Sequence, residues 1–475
     1  MRVAILLLLV LGALGGTAAE RPNIVIIVAD DLGFRDVSFH GGDIRTPHID
    51  RLAAEGVQLD RFYVAPVCSP TRAGLLTGRY PIRYGLMRAV IPPWRDFGLD
   101  VEEVTLADAL GRAGYTHRGV FGKWHLGHAS VKFHPLRRGF TEFVGHYNGA
   151  IDYFTHEREG EVDWHHGYDS RDEEGYSTDL IAAHAAAFIR RRAAGPDPFF
   201  CYVPFNSPHS PFQAKPEDMA PYRTLSIVPG DWGGKDDARL KNRRILAGMV
   251  AGLDNGVGQV LKAIDEAGVR DNTFVLFFSD NGGVGGIGDN QPLRGAKADV
   301  FEGGIRAAAA ARWPGVIPAG GKVDAPLVNV DVFPTVMRIA GLESHGGKPF
   351  DGIDVLDALT GKRPRLDRDV YSYIGQQGED QEKIACITPE WKLVVEGPNI
   401  IEPRADPSKR EVFLFRIDED PNEKTNLAAR HPDVVKQLYQ KVVAFRALQP
   451  AGAVPPYGEG SQGFKAPPRW EFPDR

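Results

Sequence analysis

The chain has 475 residues, 43% of them hydrophobic and 25% charged, with a formal net charge of −6. That composition suits a globular protein with one large domain, or a large one plus a smaller one. The acidic balance argues against nucleic acid as the main partner, since phosphate binding needs a basic surface, but it leaves room for a local basic pocket around a small anion.

In chain order, Met1-Arg2, the apolar run from Val3 to Leu14 and the small residues Gly15 to Ala19 read as a secretory signal peptide, with the mature chain beginning near Glu20. An uncleaved anchor is the alternative. The run is short for a bilayer, and no later segment is long and apolar enough to span one. Asn23 to Ala29 (NIVIIVA) is a β-branched run that predicts a buried parallel strand ending at Asp30-Asp31. Thr105 to Ala113 has helical spacing, and His117 to Phe121 predicts the next strand. Thr178 to Arg192 is an Ala-rich helix, Pro198 to Val203 a strand, and Asp236 to Glu266 contains a long helix. Thr273 to Ser279 (TFVLFFS) is another apolar strand, and Val330 to Ile339 a helix closed by Gly341. Strands alternating with helices imply a largely parallel α/β sheet.

From about Asp369 the texture changes. Val370 to Tyr373, Lys383 to Ile387, Lys392 to Val395 and Val412 to Arg416 are short strand-like pieces, followed by a helix from Asp433 to Leu448. They predict a smaller antiparallel sheet with one helix. Gln449 to Arg475 is rich in Pro and Gly and is expected to run over the surface.

Three cysteines are few for an exported protein, so this is not a disulfide scaffold, and at most one pair can form. Cys201 lies in an apolar stretch and reads as a buried strand residue. Cys68 lies in a polar, Pro-punctuated segment, a stranger place for a spare thiol. The absence of an Asn-x-Ser/Thr sequon disfavours a glycosylated lysosomal protein and favours a secreted, bacterial periplasmic one.

Ligands of an α/β sheet gather beyond the carboxyl ends of its strands. Asp30-Asp31 and Asp280-Asn281 each follow a predicted strand directly, so they should meet at one edge. Three carboxylates and an amide oxygen form a hard-oxygen site suited to Ca²⁺ or Mg²⁺. A divalent cation would also give crowded carboxylates a reason to coexist. Alternatively, each pair merely caps a strand or starts a turn. Gly283 to Gly288 fits G-x-G-x-x-G, but Asp289-Asn290-Gln291-Pro292 opposes the helix a dinucleotide site needs, so the glycines read as a flexible loop.

The run Cys68-Ser69-Pro70-Thr71-Arg72, continued by Leu75-Leu76-Thr77-Gly78-Arg79, resembles the formylglycine-modification signature of the type I sulfatases. Gly122-Lys123-Trp124-His125-Leu126-Gly127, Ser207-Pro208-His209 and Leu293-Arg294-Gly295-Ala296-Lys297 resemble further elements of that family in the same order. Tyr153 to Arg158 and Tyr176-Ser177-Thr178 resemble its arylsulfatase B (N-acetylgalactosamine-4-sulfatase) branch, whose additional cysteines are missing here.

The resemblance implies an alkaline-phosphatase-like fold, with residues 20–368 as catalytic domain and 369–475 as C-terminal subdomain. It implies hydrolysis of sulfate esters on an aryl sulfate or sulfated sugar, glycosaminoglycan-like or algal. A maturase (formylglycine-generating enzyme or equivalent) would oxidise Cys68 to formylglycine, whose hydrate supplies the attacking oxygen. Asp30, Asp31, Asp280, Asn281 and modified Cys68 would hold Ca²⁺. Arg72 would stabilise the hydrated aldehyde, and Lys123 and Lys297 would bind sulfate. His209 would protonate the leaving alcohol, and His125 would position the nucleophile. His40, Arg88, Tyr153, His156 and Trp164 are candidate sugar-pocket residues, although such aromatics are as often core. Competing readings are a phosphate- or phosphonate-monoester hydrolase on the same fold and a non-catalytic binder of sulfated glycans.

Overall fold

The computed structural model describes residues 21–225 and 237–475. The predicted signal peptide, residues 1–19, lies outside them. The main sheet is built from β1 (Asn23–Ala29), β2 (Val57–Leu59), β3 (His117–Lys123), β4 (Glu142–His146), β5 (His165–His166), β6 (Asp169–Ser170), β7 (Phe199–Pro204), β8 (Thr273–Ser279), β9 (Ala309–Arg312) and β10 (Gly321–Val323). Their order is β10-β2-β9-β8-β1-β7-β3-β4-β5-β6. The run from β8 to β4 is parallel, and antiparallel pairs join β9 to β8 and β5 to β4. The sheet is therefore mixed, with a parallel centre.

β1 is buried at every position because it is covered on both faces. Ile24, Ile26 and Val28 point into one apolar layer with Tyr202 and Phe278. Val25, Ile27 and Ala29 face the other layer, which contains Ile181 and Leu253 of the flanking helices Ser177–Ala193 and Asp237–Glu266. The predicted strands and helices sit within one or two residues of their expected bounds. β9, Ala-Ala-Ala-Arg, was not legible because alanine favours helix locally. Pairing with β8 and β2 overrides that preference.

The C-terminal sheet is antiparallel in the order β11 (Val370–Ile374), β12 (Glu382–Ile387), β13 (Trp391–Gly397), β14 (Glu411–Arg416). The helix Pro432–Arg446 packs Leu438, Val442 and Phe445 against Ile384, Cys386 and Leu393. The tail does more than run over the surface. Val454 and Trp470 are fully buried, Phe472 nearly so, and Trp470 Nε1 donates to the Arg158 carbonyl at 3.0 Å. Pro and Gly set its backbone, but burying aromatic area holds it down.

Burial also holds several imidazoles neutral, with His40 lowered to about 4 and His134 and His146 to about 3. The unfolded chain would protonate them near pH ~6.5. Their folded values lie lower, so stability is complete above that pH and drains as pH falls toward 4, at up to ~1.4 kcal/mol per pH unit for each ring. The urea midpoint is expected to fall clearly between pH 7 and pH 5. An unchanged midpoint would contradict these buried neutral rings.

Candidate active site

The strand registers align the carboxyl ends of the central strands, with Val28 opposite Pro204 and Ala29 opposite Ser279. Backbone bonds continue the alignment, from Asp30 N to Ser207 O at 3.0 Å and from Asp280 N to Ala29 O at 2.9 Å. The two acidic pairs expected at one edge do meet there. Asn281 Nδ2 donates to Asp31 Oδ1 at 2.7 Å, and Asp31 N donates to Asp280 Oδ1 at 3.3 Å.

Cys68 opens a fully buried helix, Cys68–Thr77, where the sequence pattern suggests only a polar segment. Pro70 is tolerated because first-turn N–H groups lack intrahelical partners. The four-residue spacing sets Cys68 and Arg72 on one helix face. Cys68 Sγ lies 3.3 Å from Asp30 Oδ1 and 3.5 Å from Asn281 Oδ1. Arg72 holds Asp280 Oδ2 through Nε at 3.0 Å and Nη2 at 2.8 Å, while Nη1 donates to the Lys123 carbonyl at 2.9 Å.

Lys123 ends β3, and its Nζ pairs with Asp30 Oδ2. Lys297 Nζ donates to Asp31 Oδ2 at 2.7 Å. His209 Nε2 lies 3.7 Å from the same oxygen, and its Nδ1 bonds the Ser210 carbonyl. His125 follows β3 with φ +56°, and this left-handed backbone brings it to the site. Its Nε2 bonds the Ile91 carbonyl at 3.0 Å, leaving Nδ1 buried and without a partner among the described residues. Gly149 packs on this ring, where a Cβ would come within 2.5 Å of it.

Cys68, His125, His209 and Lys297 line a cavity of about 570 Å³, a size that suits a small ligand. Lys123 is fully buried beside Asp30 and is not among the lining residues.

The charges are finely opposed. Burial, then the nearby Asp30, pushes Asp280 up to about 6 despite Arg72. Burial would raise Asp31 as well, but Lys297 and His209 hold it well below the usual carboxylate range. Burial, then Asp280 and Asp30, pushes the Cys68 thiol well up. His209 is lowered to about 3 by burial and then by Lys297, and His125 falls for the same first reason with Lys123 next.

Ligand atoms of Asp30, Asp31, Cys68 and His209 lie within 4.8 Å of one another. Adding Asp280 and the Asn281 amide oxygen makes an oxygen-rich group that fits a hard divalent cation. Burial is the first cause of the upward push on Asp280, and the second, repulsion from Asp30, is one such an ion would relieve.

None of the five sugar-pocket candidates lines the cavity. Trp164 is fully buried with Nε1 on Glu173, and His156 stacks on it. His40 stacks on Phe34, and Arg88 pairs with Glu379 at 2.8 Å. Tyr153 lies beneath the site, its hydroxyl donating to the Asn206 and His209 carbonyls at 2.6 and 2.8 Å. Apolar area drew these rings into the core, while their charged neighbours Asp152, Glu157, Arg158 and Glu159 form the cavity wall. Gln376 and Tyr457 complete it from the C-terminal region, and nothing in the sequence signalled either. The glycine loop is pinned rather than free. Asn290 Oδ1 accepts from Gly283 N at 2.8 Å and its Nδ2 donates to Gly283 O at 3.0 Å, and no helix opens at Gly288.

Residues 22–342 match the profile of the family described as Sulfatase. Arylsulfatase J of Mus musculus is 31% identical, covering 93% of this chain and 78% of that protein. N-acetylgalactosamine-6-sulfatase of Mus musculus is 34% identical, covering 82% and 78%. The solved structure of Ps i-CgsB in complex with k-i-k-neocarrahexaose is 30% identical with a TM-score of 0.79, covering 90% of this chain and 94% of that one. The fold is the alkaline-phosphatase-like one. The relatives do not specify the 4-sulfatase branch.

Proposed function

This chain belongs to the sulfatase family and is a sulfuric ester hydrolase, and from that premise we propose that it removes sulfate from carbohydrates through formylglycine formed at Cys68, with Ca²⁺ bound. The observation that carries the reading is the seat of residue 68, at the cavity beside Asp30 and Asn281 and one helical turn from Arg72.

The thiol itself is a poor candidate for the attack, because burial and the two acidic neighbours keep it protonated. Oxidised and hydrated, the residue would offer one oxygen to attack sulfur and a second hydroxyl to expel sulfate afterwards. Asp30, Asp31, Asp280 and Asn281 would hold Ca²⁺, whose charge would polarise the sulfate oxygens. Lys297 faces the cavity and binds a sulfate oxygen directly, while Lys123 adds positive potential from beneath Asp30. Asp30, 3.3 Å from the residue 68 side chain, is placed to take the nucleophile's proton. Arg72 fixes Asp280 and the end of the Lys123 strand.

His209 delivers a proton to the leaving alcohol. Its Nδ1–H donates to the Ser210 carbonyl, which leaves Nε2 facing Asp31 and the cavity. The negative charge of bound sulfate raises the ring's low proton affinity. His125 Nδ1, without a partner among the described residues, can accept the proton released as sulfate departs.

The cavity wall supports a sugar substrate. Asp152, Glu157, Arg158, Glu159 and Gln376 present hydrogen-bonding groups, and Tyr457 presents a ring. The names of similar proteins point the same way, one an N-acetylgalactosamine-6-sulfatase and another solved in complex with k-i-k-neocarrahexaose. We place the catalytic domain at 20–368 and the C-terminal subdomain at 369–475. The chain would be exported after cleavage of residues 1–19 and matured by a formylglycine-generating enzyme. Among the described residues no helix is long and apolar enough to cross a membrane.

The test is turnover of p-nitrophenyl sulfate against p-nitrophenyl phosphate, before and after chelation. Sulfate turnover should dominate, fall on chelation and return with Ca²⁺. Dominant phosphate turnover would overturn the substrate class, and full activity in verified metal-free protein would overturn the cation.

A further inference from the structure

A second group of metal-binding side chains lies outside the cavity lining. His166 on β5, the strand next to the edge strand β6, Glu173 in the loop after β6 and His184 in the helix Ser177–Ala193 bring one ligand atom each to within 4.8 Å of the others. His166 Nε2 lies 2.8 Å from Glu173 Oε2, and His184 Nε2 lies 2.8 Å from Glu173 Oε1. The two imidazole rings stand edge to face with centroids 5.0 Å apart. The side chains are 37%, 25% and 27% exposed, so an ion could enter from solvent.

We propose that His166, Glu173 and His184 form a second cation site, for a borderline transition metal of the zinc class. Two imidazoles and a carboxylate match the preferences of such ions and not those of Ca²⁺, which takes oxygen ligands. Three protein ligands on a partly exposed face leave a coordination position for water. Trp164 supplies the outer partner such sites need, its Nε1 donating to Glu173 Oε2 at 2.7 Å and fixing the carboxylate. In the metal-free geometry each ring must carry its proton on Nε2 to donate to Glu173. Metal binding moves that proton to Nδ1, with no net release from a neutral ring. Protons compete for the same nitrogens, so affinity falls in acid.

The ion would clamp β5, next to the edge of the main sheet, to the helix Ser177–Ala193. The clamped loop continues the chain segment that supplies Asp152 and Glu157 to Glu159 to the cavity wall. The site stands on its own geometry and does not depend on the reaction assigned above.

The test uses the Ca²⁺-loaded protein and its His166→Gln and His184→Gln variants, titrated calorimetrically with ZnCl₂ at neutral pH. The unsubstituted chain should bind one more Zn²⁺ than either variant, or bind it at least ten times more tightly, and only its thermal midpoint should rise with zinc. Equal stoichiometry, affinity and midpoint shift in all three would overturn the site. Should the variants fail to fold, Co²⁺ added to the unsubstituted chain decides the matter. Visible absorption of a low-symmetry nitrogen–oxygen site is expected, and a spectrum unchanged from aquo-cobalt would overturn it.

Discussion

Cys68→Ala is expected to lower sulfate-ester turnover by ~10⁴-fold or more, as removal of a covalent nucleophile does elsewhere. Its fold should survive. Cys68 Sγ touches Asp30 Oδ1 and Asn281 Oδ1 only through weak sulfur contacts, while Lys123 and Arg72 hold the surrounding carboxylates. The stability change should therefore stay near the ~1 kcal/mol typical of single substitutions. Cys68→Ser keeps an oxygen but lacks the second hydroxyl, so its sulfate ester would have no internal route to break down. It should be nearly inactive in steady state unless the host oxidises serine. Steady-state assay, thermal unfolding and mass spectrometry of the Cys68 peptide check all three points. Unchanged turnover in Cys68→Ala would end the proposed mechanism.

Lys392→Met should destabilise the fold by ~3–5 kcal/mol, the range for breaking a buried ion pair from one side. Lys392 Nζ lies 2.8 Å from both Glu302 Oε1 and Glu423 Oε1, and all three side chains are fully buried. Glu423 Oε2 also accepts from Glu302 N at 2.8 Å, and Tyr63 donates to Glu302 Oε2 at 3.1 Å. Without the lysine, Glu302 keeps Arg306 Nη1 at 3.7 Å but Glu423 loses its cation partner, and burial already pushes Glu423 up. The triad also ties the C-terminal sheet to the segment that begins at Lys297, so activity should fall with stability. Adding Glu302→Gln to Lys392→Met should recover part of the loss, because it removes the carboxylate charge that repels Glu423. Urea unfolding of the single and double variants measures this, and a loss below ~1 kcal/mol would show that the triad contributes little.

Much of the site is legible in the amino-acid sequence. NIVIIVA followed by Asp30-Asp31, and TFVLFFS followed by Asp280-Asn281, place four oxygen donors at strand ends through local pattern alone. Register turns those two ends into one site, and sequence carries register only indirectly. The order of Cys68, Lys123, His209 and Lys297 is readable as a family resemblance. The buried helix that faces Cys68 and Arg72 inward is not, because Pro70 masks a first turn that neighbouring elements stabilise.

Composition identifies the parallel strands β1, β3, β7 and β8, since a segment covered on both faces is largely apolar, but it misses their neighbour β4. It fails at the cavity wall. Tyr153, His156 and Trp164 look like sugar platforms but lie inside, while Arg158, Gln376 and Tyr457 reach the cavity from segments far apart in the chain. An amphipathic ring is worth as much buried as stacked on a ligand, so its type does not tell the two apart. The sequence by itself thus determined the chemistry present and the strand ends that carry it. Only tertiary packing decided which side chains meet water, because burial depends on contacts between elements that local sequence does not encode.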